Sequence, residues 1–283
     1  MVGSLMKKFK YLGKVSSDFF LKNLTIRFSQ PGAFNDPFEL QPEFYNRNGA
    51  LKSGEDYPCK LVLHGCDLVS EKYLIKDHLS ETQIEKIDSI RMLSTLNEEL
   101  GILCLTQADT LIPANFLMWA HYAESHQGIV IEFKSNCSFV ETAMSVQYVK
   151  RRPILDANLL IENKYVSIGD LYFKSDKWAY ENEIRIAKKL DLLEKTKDTD
   201  VLGFQIYVTS VPIQEIECVY VGCNASADLK EMAYRAHQEK GLKVMFLRVH
   251  QEEYKLIPYT QCGYSWADTY SLHEQLLFER EKI

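Results

Sequence analysis

The chain lacks any pair of cysteines close enough in sequence to suggest a zinc knuckle or a redox centre. Its seven cysteines stand singly, at positions 59, 66, 104, 137, 218, 223 and 262, whereas thioredoxin-like sites and many zinc sites carry a Cys-x-x-Cys pair. An odd number of scattered cysteines fits reduced thiols in a reducing compartment. We therefore expect a cytoplasmic protein that holds no metal.

The sequence also lacks a long apolar run and an excess of basic residues. No stretch approaches the roughly 20 apolar residues of a membrane-spanning helix, and the N-terminus has no apolar core of signal-peptide length. With 33 Lys and Arg against 39 Asp and Glu, the formal net charge is -6. This balance argues against a general nucleic-acid-binding surface, so we expect neither a membrane nor nucleic acid as a general partner.

Glycine-rich phosphate loops are absent as well. No Gly-x-Gly-x-x-Gly motif occurs among the 13 glycines, which excludes a Rossmann-type nucleotide site. By contrast, aromatic residues are plentiful, with 16 Tyr and 14 Phe. Such residues are typical of β-rich structure and of binding clefts.

The order of local patterns predicts the fold class. Short strand patterns follow one another after Gly101, and one convincing helix interrupts them at residues 226–240, before Gly241. Because few helices lie between strands, we expect an α+β fold. Its sheet should be curled, mixed or antiparallel, with flanking helices.

The expected organisation is one compact domain over residues 1–283, with a helical insertion at about residues 60–100. Within that insertion, helix-like periodicity runs from about Leu68 to His78 and begins again at Ser80. No internal repeat and no low-complexity linker divides the chain.

The first motif that could carry chemistry is FNDPFE, residues 34–39. Asx side chains bond to nearby backbone amides and proline fixes its own φ, so a turn pinned to the core explains most of the pattern. The alternative is functional. In that interpretation Asn35, Asp36 or Glu39 holds a ligand at the mouth of a cleft, where loops often place such groups.

The second motif, NFLMWAHYAESHQGIVIEF, is interpreted as a short helix, a glycine turn and a strand. On the helix, a core-facing stripe is predicted for Phe116, Trp119, Ala120 and Ala123. The motif therefore has a structural explanation in part, while its histidines require a separate interpretation.

His121 lies off the predicted stripe, and with Tyr122 it is interpreted as one wall of a cleft. His126 is interpreted as a helix cap, because exposed carbonyls at a helix C-terminus favour an imidazolium. The two histidines lack the i, i+4 spacing that places two metal ligands on one helical face. A cysteine–histidine nucleophile stays open, although no particular cysteine pairs with either histidine.

The third motif is KWAYENEIRI, residues 177–186. In an extended strand, Glu181, Glu183 and Arg185 share one face. An exposed edge strand with self-neutralising charges would explain this arrangement. The alternative is a carboxylate that an arginine holds in a cleft, which suits a ribose hydroxyl or a developing positive charge.

These motifs, in this order, resemble a large bacterial family of uncharacterised proteins. The shared elements are FKYLG near the start, with Lys10 and Tyr11, then FNDPFE, then LMWAHYA with a following glycine. A tryptophan followed by Glu-x-Glu-x-Arg completes the pattern. The resemblance spans about residues 8–225 and implies family membership without a settled activity.

A fainter resemblance is to ADP-ribosyltransferase-like proteins of abortive-infection and toxin systems, which hold NAD in the cleft of a split β-sheet. It implies NAD as the substrate and a macromolecular acceptor. The resemblance assigns roles to four groups of residues. Glu183 would be the catalytic glutamate with Glu181 as companion, and His121 and Arg185 would assist. Tyr122 or Trp119 would stack on the nicotinamide. Lys10 and Tyr11 stand where such enzymes carry an early arginine or histidine, with Arg27 as the substitute.

Two other functions stay open. A hydrolase or nuclease would gather His121, His126, Asp36 and Glu39 around a metal or an activated water. A non-catalytic sensor would bind a nucleotide in a preformed aromatic cleft. Phage defence or toxicity is the expected biological setting for the first and last of the three functions.

Overall fold

The computed structural model describes residues 6–45, 58–63, 67–73, 93–94, 96–110, 112–156 and 165–259. Its strands and helices confirm the predicted α+β class with a mixed sheet and flanking helices. Within these ranges, none of the helices combines the length and the apolar character that a membrane crossing requires.

The helices are α1 (Lys14–Asn23), α2 (Phe116–Tyr122) and α3 (Ala227–Lys240). Residues 93–94 and 96–99 are also helical. Short 3-10 helices cover Pro31–Ala33, Ser138–Val140, Ile168–Leu171, Asp176–Glu181, Leu190–Leu192 and Ile213–Glu215.

The strands in the first half of the chain are β1 (Lys7–Leu12), β2 (Thr25–Phe28), β3 (Glu43–Tyr45), β4 (Pro58–Leu63), β5 (Asp67–Tyr73), β6 (Leu100–Ala108) and β7 (Ile129–Phe133). Those that follow are β8 (Met144–Ser145), β9 (Gln147–Val149), β10 (Ile154–Asp156), β11 (Tyr165–Ser167), β12 (Phe173–Ser175), β13 (Glu183–Lys189), β14 (Glu194–Thr199), β15 (Gln205–Ser210), β16 (Ile216–Val221), β17 (Val244–Val249) and β18 (Leu256–Tyr259).

The chain divides into two compact units. Unit 1 consists of Met1–Ile26, Leu105–Glu141 and Ser210–Ile283, and unit 2 of Arg27–Cys104 and Thr142–Thr209. This division follows internal contacts, and the single compact domain over residues 1–283 stays a prediction.

The sheet of unit 1 has the strand order β18–β17–β16–β7–β1–β6. Strand β7 lies between β1 and β16, is antiparallel to both, and is buried along its whole length, IVIEF. Strand β16 is parallel to β17, so the sheet is mixed. A strand that is buried on both faces reads as a continuous apolar run, which explains why β7 shows little alternation.

Helix α3 begins and ends where its capping residues predict. The Ser226 hydroxyl accepts a hydrogen bond from the Leu229 amide at 3.2 Å, and Gly241 has the left-handed φ of 71° at the other end. Both are frequent helix termini, since a hydroxyl satisfies a free N–H and glycine adopts positive φ without steric cost. Lys240 also donates to the Leu21 carbonyl of α1 at 2.8 Å.

In unit 2, the N-terminal part of β6 lies beside β13, and β13 pairs antiparallel with β8. Strand β12 pairs parallel with β9, and β14 pairs antiparallel with β15. This arrangement places the start of β13 close to β12, which is where the charged side chains of the unit meet.

The predicted helix from Leu68 to His78 is wrong over its first half. The structure has β5 there, antiparallel to β4 across six residue pairs. Short apolar runs do not distinguish a strand from a helix by periodicity alone, and pairing with a neighbouring strand decides the outcome. Towards the end of the predicted helical insertion, residues 93–94 and 96–99 are helical, whereas residues 74–92 lie outside the described residues.

Candidate functional site

Five charged side chains meet inside unit 2. They are Glu39, Lys174, Glu181, Glu183 and Arg185, and none is more than 6% exposed. Charged residues are almost never fully buried unless they are paired. We call this group the ionic cluster.

Lys174, from β12, bridges the three carboxylates of the ionic cluster. Its Nζ lies 2.6 Å from Glu181 Oε2, 3.2 Å from Glu183 Oε2 and 3.1 Å from Glu39 Oε1. An ammonium group has three donors and no acceptor. Lys174 therefore holds together carboxylates from two separate segments of the chain, the FNDPFE motif and residues 181–183.

Arg185, from β13, binds Glu183 in a bidentate manner. Its Nε donates to Glu183 Oε1 at 2.7 Å, and its Nη2 donates to Glu183 Oε2 at 2.9 Å. Nη2 also pairs with Glu39 Oε2. A planar guanidinium matches a carboxylate in this geometry, so Arg185 fixes the orientation of Glu183.

Two aromatic rings pack against the Arg185 guanidinium. Its Cζ lies 5.2 Å from the ring centroid of Phe34 and 5.6 Å from that of Tyr172. These are cation–π distances. Within the part of the chain that the structure describes, Nη1 of Arg185 is buried and has no hydrogen-bond partner.

The FNDPFE motif supplies Glu39 to the ionic cluster through a tight turn. Asp36 Oδ1 accepts from the Phe38 amide at 2.9 Å, and the Asp36 carbonyl accepts from the Glu39 amide at 3.3 Å. Asp36 is buried in this turn, whereas Asn35 is exposed. Asp36 thus forms the turn, as the structural interpretation predicts. Glu39 is the residue of this motif that contacts the ionic cluster.

Glu181 and Glu183 come together through a turn and not along one extended strand. Glu181 ends the 3-10 helix Asp176–Glu181, Asn182 has a left-handed φ of 43°, and β13 begins only at Glu183. The strand thus begins at Glu183 and does not extend through Glu181, because Asn182 adopts a left-handed conformation between them. The two carboxylates nevertheless converge on Lys174, and their burial excludes the exposed-edge explanation.

Opposing effects set the protonation of the carboxylates. Burial alone would raise the pKa of Glu183, but the Arg185 guanidinium and the Lys174 ammonium outweigh it and lower this pKa to about 2. For Glu39, burial prevails over Arg185 and Lys174 and raises the pKa. Glu183 is therefore anionic at neutral pH.

Aromatic side chains lie on the less buried side of the ionic cluster. The Trp178 ring centroid lies 5.0 Å from Lys174 Nζ and 6.0 Å from the Tyr180 ring, and both rings are half-buried. Tyr148 accepts a hydrogen bond from the Glu183 amide at 2.8 Å, and burial raises the pKa of Tyr148 to about 12. Planar groups that reach this side would meet two stacking surfaces.

The LMWAHYA motif forms an aromatic corner in unit 1. Trp119 is fully buried, and its Nε1 donates to the Pro113 carbonyl at 2.7 Å. Tyr11 packs edge-on against Trp119 at 5.6 Å. The His126 imidazole stacks on Trp119 at 5.5 Å, with 6° between the planes. Trp119 is thus the centre of a packed stack.

Two predictions for this corner are wrong. His126 is not a cationic cap, because its ring stacks on Trp119 and burial lowers its pKa, which favours the neutral imidazole. Of the predicted apolar stripe, Phe116 and Ala120 are exposed while Met118 is buried. The helix has only seven residues, and the packing of Trp119 sets its rotation instead of the full periodicity.

The remaining predicted site residues lie outside the ionic cluster. His121 is exposed and Tyr122 half-buried on α2, with 6.3 Å between their ring centroids, and both belong to unit 1 with Tyr11. Arg27 belongs to unit 2, where its Nη2 lies 2.6 Å from Asp200 Oδ2. Among the predicted site residues, the ionic cluster therefore contains Glu39, Glu181, Glu183 and Arg185, while Tyr11 packs with Trp119 in unit 1.

The residues that sequence reasoning missed are Lys174, Tyr148 and Tyr172. Lys174 stands in the ordinary strand sequence FKS, which carries no motif, and only the pairing of β12 brings it to the ionic cluster. Within the described ranges, no group of three or more His, Cys, Asp or Glu side chains is arranged to hold a metal ion.

Comparison with known proteins gives one family. The family described as a protein of unknown function, DUF2971, matches residues 118–186, from α2 into β13. The predicted similarity to an uncharacterised family is confirmed for this segment, which contains the corner of Trp119 and the motif of Glu183. No curated protein and no solved structure matches the chain.

Proposed function

We propose that the chain is an ADP-ribosyltransferase-like enzyme, which cleaves NAD and transfers ADP-ribose to a macromolecular acceptor. The observation that carries this proposal is the orientation of Glu183. Arg185 binds this carboxylate in a bidentate manner and Lys174 joins it to Glu181. The fixed, ionised carboxylate with a second carboxylate beside it is what glycosidic cleavage needs.

The chemistry follows from the charge that develops on the ribose. When the bond between nicotinamide and ribose breaks, its electron pair moves to the ring nitrogen and positive charge develops at the ribose. A preoriented carboxylate in a low-dielectric site stabilises that charge. The nucleophilic atom of the acceptor then bonds to the ribose carbon and releases its proton.

The roles of the two glutamates differ in this proposal. With a pKa of about 2, Glu183 has no proton to donate at neutral pH and is too weak a base to accept one. Its role is therefore to stabilise charge. Glu181 orients a ribose hydroxyl. Because both are buried, the substrate enters past Trp178 and Tyr180, whose rings provide stacking surfaces for nicotinamide.

The proposal is tested by incubating the purified chain with NAD labelled in the adenylate and with cell lysate. We expect release of nicotinamide and label on a macromolecule, with a loss of at least 100-fold in Glu183→Gln. Glu194→Gln, an exposed residue of β14, is the matched control and should retain full activity. Thermal unfolding of each variant separates loss of activity from loss of fold.

No NAD turnover in the native chain, or equal activity in Glu183→Gln, would overturn the proposal. The same variants address the biological setting. Expression of the native chain should inhibit growth or protect against phage, and Glu183→Gln should do neither. Growth curves and plaque counts measure both effects.

A second function, a non-catalytic nucleotide sensor, is favoured by one observation. Both oxygens of Glu183 already accept hydrogen bonds from Arg185, and one of them also accepts from Lys174. Such a carboxylate is well suited to a structural role, in which it keeps the shape of a binding pocket fixed. A ligand that raises the melting temperature of the chain without being consumed would support this function over the enzyme.

A further inference from the structure

Unit 1 contains a cleft of 620 Å³ beside the aromatic corner. Phe116, His126, Cys223 and Asn224 line it together with residues 249–256. Small-molecule sites occupy clefts of about 300–1,000 Å³. The cleft includes no residue of the ionic cluster, so its lining differs from the site proposed for unit 2.

A strained turn forms one side of this cleft. Glu124, Ser125 and His126 have φ values of 50°, 56° and 65°. Three consecutive non-glycine residues in the left-handed region are sterically unfavourable. Such strain persists where the surrounding structure fixes it, and it concentrates at functional sites.

Asn224 fixes the turn and lines the cleft at the same time. Its side chain donates to the Ser125 carbonyl at 3.0 Å, and its amide donates to the His126 carbonyl at 3.0 Å. Gly222 permits this close approach, since a Cβ there would lie 2.2 Å from the His126 carbonyl oxygen. The turn is therefore built to hold His126 at the wall of the cleft.

The same wall presents aromatic surface. One face of the His126 ring lies on Trp119, and the Phe116 ring is 6.3 Å from His126 at a tilt of 44°. Phe116 is 39% exposed. His126 Nδ1 is buried and has no hydrogen-bond partner among the residues described. An exposed phenyl ring beside the imidazole ring suits a planar aromatic ligand.

The loop of residues 250–255, which also lines the cleft, carries acidic side chains. It contains Glu252 and Glu253, and Lys255 Nζ lies 2.7 Å from Glu253. The His250 ring fixes this loop by accepting from the amides of both glutamates, at 3.2 and 3.0 Å. Two carboxylates against one ammonium disfavour a phosphate and favour a ligand that donates hydrogen bonds.

We propose that this cleft binds an aminated heteroaromatic base, as in adenosine. The ring stacks on the wall of Phe116 and His126, and the exocyclic amino group donates to the carboxylates of Glu252 and Glu253. A neutral planar base meets every requirement of the cleft, since it stacks, donates and accepts without adding negative charge.

Titration calorimetry of the full chain with adenosine tests the proposal. Phe116→Ala should weaken binding at least tenfold, and Leu117→Ala should change it less than twofold. Leu117 is the matched control because it is 49% exposed on the same helix and does not line the cleft. Inosine, which lacks the amino group, should bind at least fivefold more weakly than adenosine.

Alkylation of thiols locates the bound base. Adenosine should slow the modification of Cys223 by N-ethylmaleimide, while Cys104 of unit 2 serves as the internal reference, with each site measured by peptide mass spectrometry. No adenosine binding at millimolar concentration, equal binding of inosine, or protection of Cys104 instead of Cys223 would each overturn the proposal. Adenosine carries no nicotinamide bond, so this result does not depend on NAD cleavage.

Discussion

Lys174 Nζ lies 2.6 Å from Glu181 Oε2, and neither side chain exposes more than 3% of its surface. Burying an ammonium and a carboxylate costs several kcal/mol per ion unless each finds a partner. The pair therefore persists as a unit. Removing one member leaves the other charged, buried and unpaired, which makes the ionic cluster sensitive to single substitutions.

We predict that Lys174→Met lowers the free energy of unfolding by about 3–5 kcal/mol, because it leaves three buried carboxylates facing Arg185 alone. Urea titration at pH 7 measures the change. Lys177→Met is the matched control, since Lys177 is exposed, and it should change stability by less than about 0.5 kcal/mol. Equal stability of the two variants would contradict a cohesive role for Lys174.

The ionic cluster also predicts a pH dependence of stability. The pKa of Glu183 is about 2 in the folded chain, below its ordinary value of 4.5. A lowered pKa stabilises the fold above pH 4.5, and that contribution is lost as the pH falls towards 2. Its size is roughly 3 kcal/mol.

The measurement compares the native chain with Glu183→Gln. Unfolding free energies between pH 7 and pH 3 should converge as the pH falls below 4.5, because only the native chain loses the Glu183 contribution. The raised pKa of Glu39 acts with the opposite sign, since its contribution is present at low pH and is lost as the pH rises. The two proteins do not share this contribution fully, because removing Glu183 takes away one of the charges that raise the Glu39 pKa. A constant difference between them at all pH values would disprove the assignment to Glu183.

Gly128 is predicted to be intolerant of a side chain. A Cβ at this position would lie 1.8 Å from the Leu12 carbonyl oxygen of β1. Gly128→Ala should therefore cost about 3 kcal/mol or more, whereas Gly203→Ala should cost about 1 kcal/mol. At Gly203 only the φ of 86° opposes a side chain, with nothing within 4 Å. Thermal unfolding of both variants gives the ranking, and a reversed order would refute the close approach.

Asn115 is predicted to stabilise α2 as its N-cap. Its side chain accepts from the amides of Leu117 at 3.1 Å and Met118 at 3.3 Å. Asn115→Ala should lower the unfolding free energy by about 1 kcal/mol, and Asn115→Asp should restore most of it. Chemical denaturation distinguishes the two. If aspartate is no better than alanine, the side-chain cap does not contribute.

Local sequence signals were sufficient to predict the elements whose ends or apolar runs are visible in the sequence. Residues 226–240 were predictable as a helix because Ser226 and Gly241 are caps, and β17 was predictable from its apolar run. The strand β5 was not predictable, because its residues fit both the helical and the strand period. Its pairing with β4 determines that it is a strand. Similarity to an uncharacterised family was also predicted from the sequence, and the family match covers residues 118–186.

The ionic cluster was only half predictable. Glu183 and Arg185 are two residues apart in one strand, so their pairing follows from strand geometry. The contact between Lys174 and Glu39 joins residues 135 positions apart in the numbering, and no local pattern encodes it. The left-handed turn at 124–126 was also hidden, since it contains no glycine to indicate positive φ.

Asn182 adds a backbone requirement to the Glu-x-Glu motif that the sequence does not indicate. In a straight strand the middle residue could be almost any amino acid, but here it adopts a left-handed conformation with φ of 43°. Asparagine, aspartate and glycine accept that conformation most readily, and β-branched residues accept it least. Natural variation at position 182 should therefore be narrow although the side chain is exposed. The backbone conformation at Asn182 therefore constrains which residue can stand between the two glutamates.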